Sequence, residues 1–254
     1  MIMNKLFFTL LLTIISISSF GQSCEDSTKV LPNLYPMKEN TSRYHNNWTK
    51  NYYPKRIQDF KHAPLQTGEI VFIGNSITEG GADWSNKFGI AHIRNRGIAG
   101  DVTDGVLKRL DEVTYYKPKA VFILIGINDL FSLHHQEDNP ALKYDKVVKS
   151  PQYIGKNILK IAKIIHRKSP GTRIYVRTLL PTRRAYMKED LLAVNKIIRK
   201  NEAKGFYTMI DLYSQFVDTQ GELISQLTTD GVHLNESGYQ KWVKFEKPII
   251  ERLF

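Results

Sequence analysis

From Ile70 onward the chain alternates short apolar runs with stretches in which apolar side chains recur every three or four positions, the pattern of repeated βα units. Runs of strand type fall at Ile70 to Ile73, Ala91 to Arg96, Ala120 to Ile125, Arg173 to Thr178 and Tyr207 to Asp211. Helical periodicity falls near Val102 to Thr114, Tyr153 to Ser169, Ala185 to Lys204 and Glu236 to Arg252. The third run, Val121-Phe122-Ile123-Leu124-Ile125, is apolar at every position, as a central strand covered on both faces requires. The pattern predicts an α/β fold on a doubly wound parallel sheet of five strands. Such sheets place their ligand sites in the crevice beyond the C-terminal ends of the strands.

Upstream the character changes. Lys5 precedes an apolar stretch from Leu6 to about Ile17, and Ser19-Phe20-Gly21 follows as a small-x-small cleavage pattern. Residues 1–21 therefore read as a secretory signal, which predicts export to a periplasmic or extracellular space. The stretch is shorter than the roughly 20 apolar residues of a spanning helix, so no stable membrane insertion is expected after cleavage. Cys24 is the only cysteine, which excludes an intramolecular disulfide. Its place just past the leader leaves two readings open, a free thiol in an N-terminal tail or the site of a lipid anchor. Residues 22–68 carry Tyr44, Trp48, Tyr52, Tyr53 and Phe60, enough aromatic surface for an arm that packs along the domain. A carbohydrate-stacking surface is the functional alternative. Residues 69–254 form the main domain.

The chemistry-bearing residues sit in the loops of this pattern. Gly74-Asn75-Ser76-Ile77 breaks the first strand and leaves a hydroxyl where the strand ends. Gly97-Ile98-Ala99-Gly100-Asp101 follows the second strand, and Gly126-Ile127-Asn128-Asp129 the third. Asp230-Gly231-Val232-His233 precedes the last helix. A serine hydroxyl needs a base within hydrogen-bond reach to attack a carbonyl carbon. His233 is the candidate base, and Asp230, three residues before it, can fix the imidazole tautomer. Gly100 can bring a backbone N–H close to a developing oxyanion because it has no side chain. Asn128 can add its amide and Ser76 its own N–H.

In their order and spacing these blocks resemble the SGNH, or GDSL, family of serine esterases, with the likeness running from about Ile70 to Phe254. The resemblance implies a three-layer α/β/α flavodoxin-like fold, a triad of Ser76, His233 and Asp230, and an oxyanion hole of Ser76, Gly100 and Asn128. It implies neither metal nor organic cofactor. The first block departs from Gly-Asp-Ser-Leu, with Asn75 at the aspartate position and Ile77 at the leucine. Asn95 to Val106 resembles the branch of platelet-activating-factor acetylhydrolase subunits and bacterial carbohydrate acetylesterases. That likeness implies a small acyl group on a small-molecule or glycan ester, with a lysophospholipase or other lipid esterase as the rival. A carbohydrate-binding module on the same fold is the non-enzymatic reading. Asp101 and Asp129 are then loop-fixing residues.

Charge and the remaining polar clusters change this picture little. The formal charge of +11 includes Lys5, and losing the leader leaves +10. The cations are spread along helical stretches such as Lys156 to Lys168 and Lys188 to Lys204, which argues against a nucleic-acid partner. His134 and His135 adjoin Glu137 and Asp138, but adjacent histidines point apart and no spaced ligand set completes them. Leu130 to Gln152 is long and polar, and reads equally as a substrate-facing flap or a surface excursion. Arg177, at the end of the fourth strand, can meet an anionic substrate or serve as an internal hydrogen-bond donor.

Overall fold

The structure is a computed structural model that describes residues 33–37, 41–135 and 140–254. The leader at residues 1–21, Cys24, and the pair Glu137 and Asp138 lie outside the described residues. In chain order the elements are α1 (Asn47–His62), β1 (Ile70–Gly74), α2 (Ser76–Glu79), α3 (Trp84–Phe88), β2 (Ile93–Gly97), α4 (Thr103–Leu107), α5 (Asp111–Tyr116), β3 (Ala120–Leu124) and α6 (Ile127–Leu133). They continue with α7 (Pro151–Lys168), β4 (Arg173–Arg177), α8 (Lys188–Glu202), β5 (Thr208–Ile210), α9 (Tyr213–Phe216) and α10 (Glu236–Glu251). Short 3-10 turns lie at Pro140–Leu142, Ala185–Met187 and Ser225–Leu227.

All five strands are parallel, in the order β2-β1-β3-β4-β5. β1 and β3 are buried at every position, which explains their unbroken apolar sequences: each side chain meets a helix layer whichever way it points. On one face α7 packs with α4, α5 and α8. On the other, Trp84 of α3 meets Trp242 of α10 at 5.0 Å and Phe72 of β1 at 5.0 Å. The fold is thus α/β with a five-stranded parallel sheet between helix layers, as the βα pattern requires.

Arg177 takes the internal role. It is fully buried, bonds both carboxylate oxygens of Glu246 at 2.7 Å, and lies over the rings of Phe72, Phe122 and Trp242. A bidentate fork and three aromatic faces replace the water that this cation loses on burial.

Three elements differ from the pattern. Val102 to Thr114 is two short helices, because the buried Arg109 turns inward between them to reach Asp101, the Arg96 carbonyl and the Gly74 carbonyl. The first part of Leu130 to Gln152 belongs to α6, and Ser132 Oγ accepts from the Val148 N–H, so both ends of that segment are anchored in the core. Finally, the aromatic-rich region contains α1, a 16-residue helix with Asn46 as its cap. Tyr53, Ile57 and Phe60 of α1 form a satellite core with Ile98, which lies in the loop after β2. Among the described residues no helix is long and apolar enough to cross a membrane.

Candidate active site

Gly74 ends β1 where a Cβ would stand 2.0 Å from Thr78 Oγ1 and 2.5 Å from the Leu124 carbonyl, so only glycine lets the chain turn so tightly into α2. Asn75 caps that helix by accepting from the Ile77 N–H at 3.0 Å. Ser76 is therefore the first helical residue, and its N–H is one of those that a helix leaves without an internal partner. Its Oγ lies 2.9 Å from His233 Nε2. His233 Nδ1 lies 2.8 Å from Asp230 Oδ2. An ionised carboxylate only accepts, so Nδ1 carries the proton and Nε2 is left to accept from the serine hydroxyl.

The turn before α10 holds the acid in place. Asp230 Oδ1 accepts from the Val232 and His233 N–H groups at 2.9 and 2.8 Å. Burial pushes this carboxyl up, but the bonds from His233 and Val232 outweigh it and take it down to about 2. His233 and Asp230 are both roughly half exposed.

The loop after β2 brings Gly100 beside Ser76 in the same cleft. Gly100 has φ +77°, and a Cβ there would stand 2.0 Å from Thr49 Oγ1 of α1. Both the left-handed backbone and the close approach of α1 demand glycine. Asn128, near the start of α6, donates from Nδ2 to the Asp101 carbonyl at 2.9 Å. That bond fixes the amide and leaves its second N–H for the cleft.

Behind this surface sit two buried carboxylates. Asp101 accepts from Arg109 and from His45 Nε2, both at 2.9 Å. Asp129 accepts from the Thr103 N–H and hydroxyl. Its complete burial pushes it up, to about 7, against those bonds. Both carboxylates fix loops and neither lines the cleft.

The cleft of about 400 Å³ is lined by Ser76, Ala99, Gly100, Asn128 and His233, and by residues from the aromatic-rich arm, from the Leu130 to Gln152 segment and from the turn before α8. Asn46, Trp48 and Thr49 come from the start of α1, Leu142 and Tyr144 from the segment before α7, and Tyr186 from the turn before α8. The α1 side and the 140–145 segment are joined by an Asn46–Tyr144 bridge, by Asn47 Nδ2 donating to the Pro140 carbonyl, and by an ion pair of Lys50 and Asp145. His134 and His135 also border the cleft, but His134 Nε2 stands 2.8 Å from Asp190 and the His135 ring packs edge-on to Tyr144. Among the described residues no group of three or more His, Cys, Asp and Glu side chains could hold a metal ion. A second cleft, of about 300 Å³, lies against Trp48 and is lined by Asn47, Asn51, Tyr52, Lys55 and Ala141.

The profile of the GDSL-like lipase/acylhydrolase family matches residues 72–241. The chain belongs to that family. It is a hydrolase acting on esters. The alpha2 subunit of platelet-activating factor acetylhydrolase IB from Rattus norvegicus is 26% identical over 184 residues, covering 69% of this chain and 73% of that one. A GDSL-like lipase from Bacteroides thetaiotaomicron has a similar structure, with TM-score 0.59 and 23% identity over 81% of this chain and 98% of its own. So does an acetylxylan esterase from Geobacillus stearothermophilus, with TM-score 0.58 and 19% identity over 73% and 95%.

Proposed function

We propose that this acylhydrolase is an exported serine esterase that removes acetyl groups from a carbohydrate. The reading is carried by one observation, the unbroken chain Ser76 Oγ, His233 Nε2, His233 Nδ1 and Asp230 Oδ2, with steps of 2.9 and 2.8 Å, opening into a cleft that Gly100 and Asn128 also line.

Ser76 Oγ attacks the ester carbonyl carbon while His233 Nε2 takes its proton, and Asp230 stabilises the resulting imidazolium. The carbonyl oxygen becomes an oxyanion and meets the N–H groups of Ser76 and Gly100 and the amide of Asn128. Each such donor contributes about 3 to 4 kcal/mol to the transition state. The C–O bond then breaks, His233 returns its proton to the departing alkoxide, and an acyl-serine remains. Water attacks that ester in turn, giving its proton to His233, and Ser76 Oγ leaves with the proton restored. The proposed chemistry draws on these side chains, the two backbone N–H groups and water.

Acetate as the acyl group is supported by the likeness of Asn95 to Val106 to the acetylhydrolase branch. The carbohydrate is supported by the fold shared with an acetylxylan esterase and by the exposed aromatic rings at the cleft rim. The leader read at residues 1–21 supports export. Relatives that are platelet-activating factor acetylhydrolases favour a lipid ester as the second reading. Measuring kcat/KM on acetyl, butyryl and octanoyl esters of one alcohol, with acetate release from acetylated xylose and xylotetraose alongside, tests both. We expect the acetyl ester to equal or exceed the butyryl ester and far exceed the octanoyl ester. Each methylene that found an apolar groove would add roughly 0.8 kcal/mol, so a clear octanoyl preference would give the site to a lipid ester.

A further inference from the structure

The rim of the cleft contains an aromatic platform that the ester chemistry leaves unused. Trp48 is 44% exposed although it is the largest apolar side chain of α1, and it stacks on Tyr52, one turn later, with ring centres 4.8 Å apart and planes 18° from parallel. The two other tryptophans, Trp84 and Trp242, are fully buried. Trp48 borders both clefts: the catalytic one and the second one beside Asn47, Asn51 and Lys55. An exposed, preordered ring between two concavities is suited to the flat C–H face of a sugar, since a stacked neighbour fixes its orientation before any ligand arrives.

The surroundings are those of a hydroxyl-rich ligand. Asn47 and Asn51 each commit one amide N–H to a backbone carbonyl, which orients the amides, and among the described residues each Oδ1 and second N–H has no other partner. Lys55 forms no ion pair among the described residues and supplies further donors. Beside Trp48, Thr49 also lines the catalytic cleft, which ties the platform to the wall that carries Gly100. An acyl tail gains nothing from amides and an ammonium, and a cationic headgroup is disfavoured by Lys55.

We propose that the start of α1 is a sugar-binding subsite, so that the substrate is an acetylated oligosaccharide whose chain continues from the catalytic cleft past Trp48 into the second cleft. The proposal rests on the carbohydrate acetylesterase reading and adds the length of the substrate to it.

Two measurements test it. The first is the ratio of kcat/KM for acetylated xylotetraose to that for acetylated xylose. It should exceed unity by about tenfold in the wild type, collapse towards unity in Trp48→Ala, and recover in Trp48→Phe, which keeps an aromatic face. The second is calorimetric titration of the Ser76→Ala protein with unacetylated xylotetraose, in which adding Trp48→Ala should weaken binding by about tenfold. The proposal is overturned if wild type treats the two acetates alike, or if Trp48→Ala lowers both in parallel. Hydrolysis of a chromogenic acetate with no binding of xylotetraose also overturns it, while leaving the esterase intact. Binding through Trp48 with no acetate ester hydrolysed would sink the esterase reading and keep the subsite.

Discussion

Of the three histidine–aspartate pairs among the described residues, two invite comparison because they stand at almost the same separation in opposite surroundings. His233 and Asp230 are 2.8 Å apart, both about half exposed, and the far nitrogen of the imidazole faces Ser76. His45 and Asp101 are 2.9 Å apart and wholly buried, and the far nitrogen of that imidazole accepts from the Ser42 backbone N–H. The second pair has no hydroxyl to activate and no route for a proton to leave. Asp101 is moreover bound by Arg109, so its charge is answered from within. The pairing alone thus says little about catalysis. A nucleophile within reach, and access for substrate, separate a reactive imidazole from one that pins a loop.

The largest effect that can break this contrast is on turnover. Ser76→Ala and His233→Ala should each lower kcat by a factor on the order of 10⁴ to 10⁶, and the double variant should lose little more, because nucleophile and base act as one unit. Thermal melting should shift little, both residues lying at the cleft surface. A folded Ser76→Ala protein with near-normal esterase rates would refute the assignment. An intermediate effect belongs to the buried pair. His45→Ala removes a hydrogen bond to a buried carboxylate, which costs about 3 kcal/mol, or roughly 6 to 12 °C in Tm at this chain length. Assayed well below its melting point, it should keep most of its turnover. Loss of activity equal to that of His233→Ala at unchanged Tm would erase the distinction between the pairs.

The smallest effect is on pH. Asp230 is held at about 2, below the ordinary carboxylate value. Its contribution to stability is therefore complete above that ordinary value and is lost only as pH falls through about 2. Asp230 therefore stays ionised down to about 2, so the acid limb of the activity profile should not carry its titration. Asp129, pushed up to about 7, touches Thr103 rather than Ser76 or His233. The limb should persist in Asp129→Asn, and its disappearance there would show that Asp129 governs the profile.

Much of the fold could be read from sequence because parallel strands buried on both faces announce themselves: Val121 to Leu124 admits no polar residue. β2 was harder, since Ile-Arg-Asn-Arg-Gly is polar, and its arginines are answered by Glu69 and Glu112 from distant segments. α1 went unread because Pro54 lies inside it and its aromatic residues do not follow a simple apolar stripe. Ser76, Gly100, Asn128, Asp230 and His233 stood out through their loop positions, and the structure gathers them at one end of the sheet. Trp48 was legible only as one aromatic residue of an arm for which packing and carbohydrate stacking were both open, and Thr49 and Tyr186 gave no signal. Exposure beside a cleft is a property of the folded surface, and a tryptophan in an aromatic-rich stretch looks the same whether it fills the core or borders a site.

The ties between α1 and the catalytic loops separate the unit of family resemblance from the unit of folding. Glu79, at the end of the serine helix, accepts from the Ala99 N–H and from Tyr52 of α1, while Arg56 of the same helix stands 3.6 Å away. Asp101 needs His45, and Ile98 is covered by Tyr53, Ile57 and Phe60. A gene trimmed to the matched residues 72–241 would encode every residue named in the triad and oxyanion hole. It would also strip the packing from the loop that carries Gly100, bare a greasy patch at Ile98, and leave Glu79 and Asp101 short of partners. Library designs that vary the catalytic loops should therefore carry Ser42, His45 and the N-terminal helix with them.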